Sequence, residues 1–563
     1  MNSSLNTHAL KVLSDLSMNN LSYVKAHGPL PLFDKNMGSF LQGVVSQHGE
    51  RTALVAVAQS ERLSFRQLHS LVEQAAKALL ALGIEEGERV GIWSTNRVEW
   101  VVMQFAVASI GAILVHINPA YREEELAYSI AHVDCKALFL NPKFRSFDCL
   151  SAALKVQSQH PGLKFIVAFS DAPGAGCWSW PAFLAQAQGV ERARLDGLIA
   201  TVRSSTPASI QYTSGTTGKP KGATLTHHNM LNNGTQVGAR LQLNADDVIC
   251  LPVPLFHCAG SVVGVIAAFA HGASVVFPGE GFDAEQCIHA IEAHRCTAIV
   301  GVPMMYIAIL HHPQFDGAKM QTLQKGIMGA STCPSSVFLA AIEQMNLKGL
   351  SSTYGMTETS PMSTQSFPGD DLETKSQTVG CVHPHLEVKI VDPESGDTAQ
   401  RGQAGELCVR GYSVMQGYWN DPKSTAQAID KEGWMHSGDL AVMRGDGYIS
   451  IVGRIKDMVN RAGENIYPRE IEEFFHQFPE VADVQVFGVP DPLYGEQLAA
   501  WIKLKPGVDT TAQALKSQCQ GKIASYKIPH YMRLVDEFPS TTSGKVQKFK
   551  MREAMIQELQ LHD

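Results

Sequence analysis

Residues 207–229 read PASIQY-TSGTTGKPKG-ATLTHHN, in which the short extended run SIQY leads into the ten-residue loop Thr213–Gly222. The loop holds Gly215, Gly218 and Gly222, the hydroxyls of Thr213, Ser214, Thr216 and Thr217, and the ammonium groups of Lys219 and Lys221. Glycine permits positive φ and close backbone approach, so successive N–H groups can line a nest for an anion. An ordinary surface turn has no need of so many donors. This density of donors therefore predicts a phosphate-binding loop that follows a short extended run.

Two familiar nucleotide loops are excluded. A P-loop requires G-x-x-x-x-G-K-[ST]; here Gly215 stands only three residues before Gly218, and Lys219 is followed by Pro220. No G-x-G-x-x-G opens a βαβ unit, which disfavours a dinucleotide fold.

The chain has 563 residues, with 46 Lys+Arg against 54 Asp+Glu, a net charge of −8. At about 150 residues per unit this allows roughly four structural units, enough to bury large cores. Hydrophobic residues make up 45% and charged residues 18%, which excludes a disordered chain. The acidic balance argues against a dedicated nucleic-acid binder. A single phosphate pocket needs few cations and stays compatible with it. Eleven cysteines occur without a C-x-x-C, so neither a zinc site nor a disulfide framework is expected. Reduced thiols in a cytosol-like compartment are the simpler reading, hence a cytoplasmic location. The first twenty residues lack the basic and apolar regions of a secretory signal and the arginines of a transit peptide. The apolar stretches 101–119 and 250–278 are short or broken by Gly, His and Pro, so they read as buried core rather than membrane spans.

From about Arg51 to Ala200, strands such as RVGIWST (89–95) and CKALFLN (135–141) alternate with helices such as Ser64–Leu82. This predicts an α/β fold of parallel βα units, continuing through ASVVF (273–277) and TAIVGVP (297–303). From Cys381 the strands LEVKIVD (386–392), GELCVRG (405–411) and DGYISIVGR (446–454) predict an antiparallel, barrel-like unit. Beyond Ile455 the helix Pro468–His476 and the strands 481–489 and 498–505 predict a separate α+β piece, with the boundary near Arg454–Asp457.

YTSGTTGKPKGATLTHHN resembles the signature loop of the adenylate-forming superfamily. Three further motifs occur in that family's order: YGMTE (354–358), GWMHSGDL (433–440) running into GYISIVGRIKDMVNRAGENIYPREIE, and PSTTSGKVQK (539–548). The resemblance spans about Asn36 to Glu558 and is nearest to acyl-CoA synthetases of medium- or longer-chain fatty acids. It implies a large N-terminal domain, residues 1–454, of two βα subdomains and a barrel-like subdomain. It also implies a small mobile C-terminal domain, residues 455–563.

The implied reaction joins a carboxylate to the α-phosphorus of ATP, releasing pyrophosphate, and then passes the acyl group to the thiol of coenzyme A. The resemblance assigns the loop residues Thr213, Ser214, Gly215, Thr216, Thr217, Gly218, Lys219 and Lys221 to the β- and γ-phosphates. Within Tyr354, Gly355, Met356, Thr357 and Glu358, it gives Thr357 the α-phosphate and Glu358 the Mg2+ ion, a hard cation suited to a carboxylate. Gly329, Ala330 and Ser331 line the adenine; Asp439 and Arg454 meet the ribose, whose diol a carboxylate can accept. Lys545 is the implied catalytic lysine of adenylation. Lys456 matches the hinge, and Gly463 the pantetheine passage, where a Cβ would narrow the way.

His257 resembles an aromatic gate beside the reacting carboxylate, with Val263, Met304 and Ile327 expected along the acyl pocket. Gly260 and Gly264 in CAGSVVGVIAAF offer small residues on one helical face as room for a chain. No acid occurs in 256–268, so an amino-acid substrate, whose ammonium would need a partner, is disfavoured. The alternatives are an adenylating enzyme with another acceptor, either carrier-protein phosphopantetheine or oxygen as in luciferases, and a non-catalytic nucleotide sensor. The expected partners are a small carboxylic acid and CoA, with no nucleic acid and no membrane span; a homodimer and peripheral lipid contact complete the expectation.

Overall fold

A computed structural model of the chain describes residues 20–172, 174–213, 220–331, 335–461, 464–540 and 546–561. These fall into two compact units. The first gathers Val24–Val388 with Val409–Met435; the second gathers Lys389–Cys408 with His436–Asp563.

The first unit carries two large sheets. One has eight strands, in the order Trp178–Ser179, Phe165–Ala168, Cys135–Leu140, Arg89–Trp93, Ile113–Ile117, Pro207–Thr213, Lys221–Thr226, Gly417–Tyr418. It is parallel as far as Pro207–Thr213, and the last two strands join antiparallel. The other has nine strands, with a parallel middle built from Gly349–Gly355, Lys325–Met328, Ala298–Gly301, Val248–Cys250, Ser274–Phe277 and Thr52–Ala56. The alternation read in the sequence is thus a pair of βα sheets.

Local chemistry sets the element boundaries. The helix Phe65–Ala81 starts where the Ser64 and Gln67 side chains cap each other's backbone N–H groups. It turns Leu68, Val72, Ala75 and Leu79 into the core at helical spacing, and each fully buried Leu contributes about 2 kcal/mol of transfer free energy. The apolar stretch 101–119 becomes the helix Val98–Ser109, buried at every position but Glu99, and the strand Ile113–Ile117. A helix apolar all round is one enclosed all round. Among the described residues no helix is long and apolar enough to cross a membrane.

The stretch 250–278 contains a π-helical segment, Ala259–Ile266, that runs into the α-helix Ala267–Ala270. The expectation of open space beside Gly260 and Gly264 is corrected here. A Cβ on Gly260 would strike the Pro254 carbonyl, and one on Gly264 the Leu251 side chain. The small residues serve close packing.

In the second unit, the strands Met435–Met443 and Ile449–Arg454 pair antiparallel. A further sheet joins Glu464–Ile466, Val459–Arg461, Gly495–Leu504 and Val481–Asp491, with Tyr531–Leu534 added in parallel. Alternate residues face opposite sides, as strand geometry requires. Val484 and Val486 pack with Ile471, Phe475 and Leu515, whereas Phe487 and Val489 pack with Met551 and Met555. Helices therefore cover both faces of this sheet.

Candidate nucleotide and acyl-activation site

In the first unit a strand pair flanks the segment expected to hold phosphate. Thr213 ends one strand and Lys221 begins the next, directly opposite each other in register. Ser214, Gly215, Thr216, Thr217, Gly218 and Lys219 lie outside the described residues. The Thr213 hydroxyl lies 3.3 Å from Oε1 of Glu358. The Lys221 ammonium stands 5.1 Å from the centre of the Tyr418 ring, and the Tyr418 hydroxyl donates to the same Glu358 oxygen at 2.8 Å.

Glu358 reaches this point from YGMTE. Tyr354 and Gly355 finish the strand Gly349–Gly355, and the chain turns tightly through Thr357–Thr359. A Cβ on Gly355 would overlap the Pro361 carbonyl oxygen, so the return of the chain requires glycine. The Met415 N–H donates to the Glu358 carbonyl at 2.9 Å. Glu358 is buried, and among the described residues its carboxylate receives hydroxyl donors but no cationic partner. A buried carboxylate of this kind suits a divalent cation, which would supply the missing charge.

Gly329 follows the strand Lys325–Met328 and lies against Thr353, whose hydroxyl occupies the place of a Cβ. Ala330 (φ 68°) and Ser331 are exposed beyond it. His257 is half-buried, its ring 4.1 Å from that of Phe256. Its carbonyl accepts the N–H groups of Gly260 at 2.9 Å and Ser261 at 3.1 Å, where the π-helical segment begins. Val263 and Ile327 share one buried core, whereas Met304 is 55% exposed and stands apart from them.

Sequence reasoning missed a buried polar circuit that brackets His257. The Cys258 thiol donates to Gln211 Oε1 at 2.9 Å, and Gln211 Nε2 donates to Ser209 Oγ at 3.3 Å. Ser209 Oγ lies 3.1 Å from His116 Nε2, and His116 Nδ1 lies 3.3 Å from the Phe256 carbonyl. A carbonyl can only accept, so Nδ1 carries the proton and Nε2 accepts from Ser209. Burial drives the His116 pKa down to about 3, which keeps the ring neutral. Burial pushes the Cys258 thiol up to about 12, and the same thiol meets the hydroxyl of Thr357. The pairing of Pro207–Thr213 with Ile113–Ile117 sets Gln211 opposite His116, and the distant segment Phe256–Cys258 closes the circuit, so no local sequence signal marks it.

In the second unit, Asp439 and Arg454 face each other across the strand pair, with Arg454 Nε 3.0 Å from Asp439 Oδ1. The segment before Asp439 is fixed by Glu406. One of its oxygens accepts the Gly438 N–H at 3.0 Å, and the other meets His436 Nδ1 at 2.8 Å. Cys408 Sγ lies 3.5 Å from the same nitrogen. Hydrogen bonding to Cys408, then to Glu406, pushes the His436 pKa up to about 10. Lys456 is exposed in the turn Ile455–Asp457. Gly463 and Lys545 lie outside the described residues.

Two βα sheets, paired strands ending at Thr213 and beginning at Lys221, and a buried acid, Glu358, that meets the Thr213 hydroxyl are the framework of the adenylate-forming class of α/β enzyme. Residues 41–419 match the AMP-binding enzyme model, and residues 470–545 match the AMP-binding enzyme C-terminal domain. The protein YngI of Bacillus subtilis (strain 168), which bears an acyl-CoA synthetase name, is 42% identical over 94% of this chain and 99% of its own. The mitochondrial medium-chain acyl-CoA ligase ACSF2 of Rattus norvegicus is 40% identical over 97% of this chain and 92% of its own. The ATP-bound crystal structure of MatB from Rhodopseudomonas palustris superposes with a TM-score of 0.82 at 26% identity, covering 92% of this chain and 99% of that one.

The chain belongs to the AMP-binding enzyme family. It is an acyl-CoA synthetase that activates a carboxylic acid as acyl-AMP and transfers the acyl group to CoA, using ATP and Mg2+.

Proposed function

We propose that the acid is a medium- to long-chain fatty or related apolar carboxylic acid. We propose further that Thr213, Lys221 and the loop between them hold the β- and γ-phosphates of ATP. The observation that carries the reading is the approach of Thr213 to Glu358, 145 positions apart in sequence and 3.3 Å apart in space. Glu358 would hold Mg2+, which when bound neutralises phosphate charge. Thr357 contacts the α-phosphate, Gly329, Ala330 and Ser331 line the adenine, Tyr354, Gly355 and Met356 contribute to the nucleotide site, and Asp439 with Arg454 receives the ribose hydroxyls.

The substrate carboxylate oxygen then bonds to the α-phosphorus as pyrophosphate leaves. Lys545 stabilises the charge of that step. In the second step the CoA sulfur bonds to the acyl carbon and AMP departs with the electron pair. Gly463 borders the pantetheine path, and Lys456 is the hinge of a mobile domain that begins at residue 455. An apolar tail is supported by the absence of any acid in 256–268 and by the buried Val263 and Ile327. His257 stands at the carboxylate end. The name of the rat relative supports a medium chain.

A cytoplasmic location, a homodimer and peripheral lipid contact belong to the same proposal. The location is supported by the ten described cysteines, all of which are free thiols. Pyrophosphate release across saturated acids of graded length, with and without CoA, tests the reading. Release peaking at medium or long chains, with CoA-dependent thioester, is expected. Release with amino acids alone, or acyl-AMP that never reaches CoA, would overturn it.

A further inference from the structure

Glu358 Oε1 is held by two hydroxyls that come from distant parts of the chain. Tyr418 donates at 2.8 Å and Thr213 lies at 3.3 Å, whereas Oε2 receives no hydrogen bond from the described residues. A carboxylate with one oxygen fixed presents the other in a set direction. Tyr418 is itself firmly placed. Its strand pairs with Lys221–Thr226, Tyr418 standing opposite Ala223. Its N–H donates to Thr425 Oγ1 at 2.9 Å, and that hydroxyl donates to the Asp421 carbonyl at 2.8 Å. The ring also carries the Lys221 ammonium over its face.

We infer that Tyr418 is a positioning residue for metal binding: its hydroxyl holds Oε1 of Glu358, so that Oε2 faces the cation brought in with ATP. Second-sphere donors of this type orient ligating carboxylates and tune metal affinity. The inference rests on the reading of Glu358 as the Mg2+ carboxylate. It adds a residue that lies outside all four motifs, and it joins Thr213, Lys221, Glu358 and Tyr418 into one assembly.

Tyr418→Phe tests it, because the ring stays under Lys221 and only the hydroxyl is lost. Mn2+ serves as the probe, and its binding to the full chain with α,β-methylene-ATP is read by electron paramagnetic resonance. Y418F is expected to weaken Mn2+ binding about tenfold, as befits one charge-assisted hydrogen bond. Glu358→Gln should weaken it further, and Y418F should add nothing in the E358Q background. In pyrophosphate exchange, the Mg2+ concentration at half-saturation should rise in Y418F while the rate at saturating Mg2+ is largely retained.

Unchanged Mn2+ affinity in Y418F beside a weakened E358Q would overturn the role of Tyr418 alone. Unchanged affinity in both would overturn the reading of Glu358 beneath it. An equal loss from Y418F with and without Glu358 would show that the phenol acts elsewhere, and would also overturn the inference. If Y418F melts at a much lower temperature, Tyr418→Trp, which keeps an aromatic face but places no hydroxyl on Oε1, must weaken Mn2+ binding likewise.

Discussion

The Cys258 thiol donates to Gln211 Oε1 at 2.9 Å, and through Ser209 and His116 the same circuit returns to the carbonyl of Phe256. The two ends grip the residues on either side of His257. All four side chains are buried and neutral, so each bond matters mainly through what its loss would strand. Gln211→Leu leaves the Cys258 thiol and the Ser209 oxygen without that partner. It should cost about 1–3 kcal/mol of stability and raise the KM for the acid more than the KM for ATP. Urea unfolding and steady-state kinetics read both effects; an unaltered acid KM would show that the circuit is purely structural. With its pKa near 12, Cys258 should resist iodoacetamide in the folded enzyme and react only on unfolding, as peptide mapping can follow.

Asp439 lies 3.0 Å from Arg454 Nε in a directly opposed strand pair. If the carboxylate accepts the ribose hydroxyls, Asp439→Ala weakens nucleotide binding while leaving the acid pocket intact. The KM for ATP should rise about tenfold or more, the range of a lost hydrogen bond to a charged group. The acid KM should move much less. Equal changes in both would argue that Asp439 only supports the fold.

Much of this was legible before any coordinates because it is written locally. The spacing of Leu68, Leu71, Ala75, Leu79 and Leu82 announces a helix over Ser64–Leu82, and it forms at Phe65–Ala81. The strands at 89–93 and 135–140 fall within one or two residues of their apolar runs. YGMTE and HSGD are contiguous, so their residues could be named directly. Tyr418 could not, because its tie to Glu358 spans 60 positions and exists only after Gly417–Tyr418 pairs with Lys221–Thr226. The face of Gly260 and Gly264 misled for the opposite reason. Small residues mark close approach, and sequence cannot say whether a ligand or Pro254 and Leu251 make it.

His436 offers a pH-dependent check on the segment before Asp439. Its folded pKa, about 10, lies above the ordinary 6.5 because Cys408 and Glu406 favour the charged ring. A raised folded pKa contributes stability that is fully present below pH 6.5 and lost as pH rises through 10. Wild-type stability relative to His436→Gln should therefore be greatest at pH 6 and decline steadily toward pH 10. Urea unfolding at stepped pH measures the difference; parallel profiles for the two proteins would remove His436 from this role.

The two half-reactions should separate at two residues of the C-terminal region, each assigned by its motif. Lys545 stands in SGKVQK, and its ammonium is assigned to the charge that builds at the α-phosphorus. Lys545→Ala should abolish acyl-AMP formation from acid and ATP, yet largely spare thioester formation from supplied acyl-AMP. Gly463 stands in RAGE, and its motif assigns it to the pantetheine path, where a side chain would narrow the passage. Gly463→Leu should leave pyrophosphate exchange near wild type and block CoA transfer. Single-turnover assays of each step, run on both variants, give four rates. Only a crossed pattern, with each variant failing in one step and passing in the other, agrees with the assignment, because a general loss of folding would lower all four together.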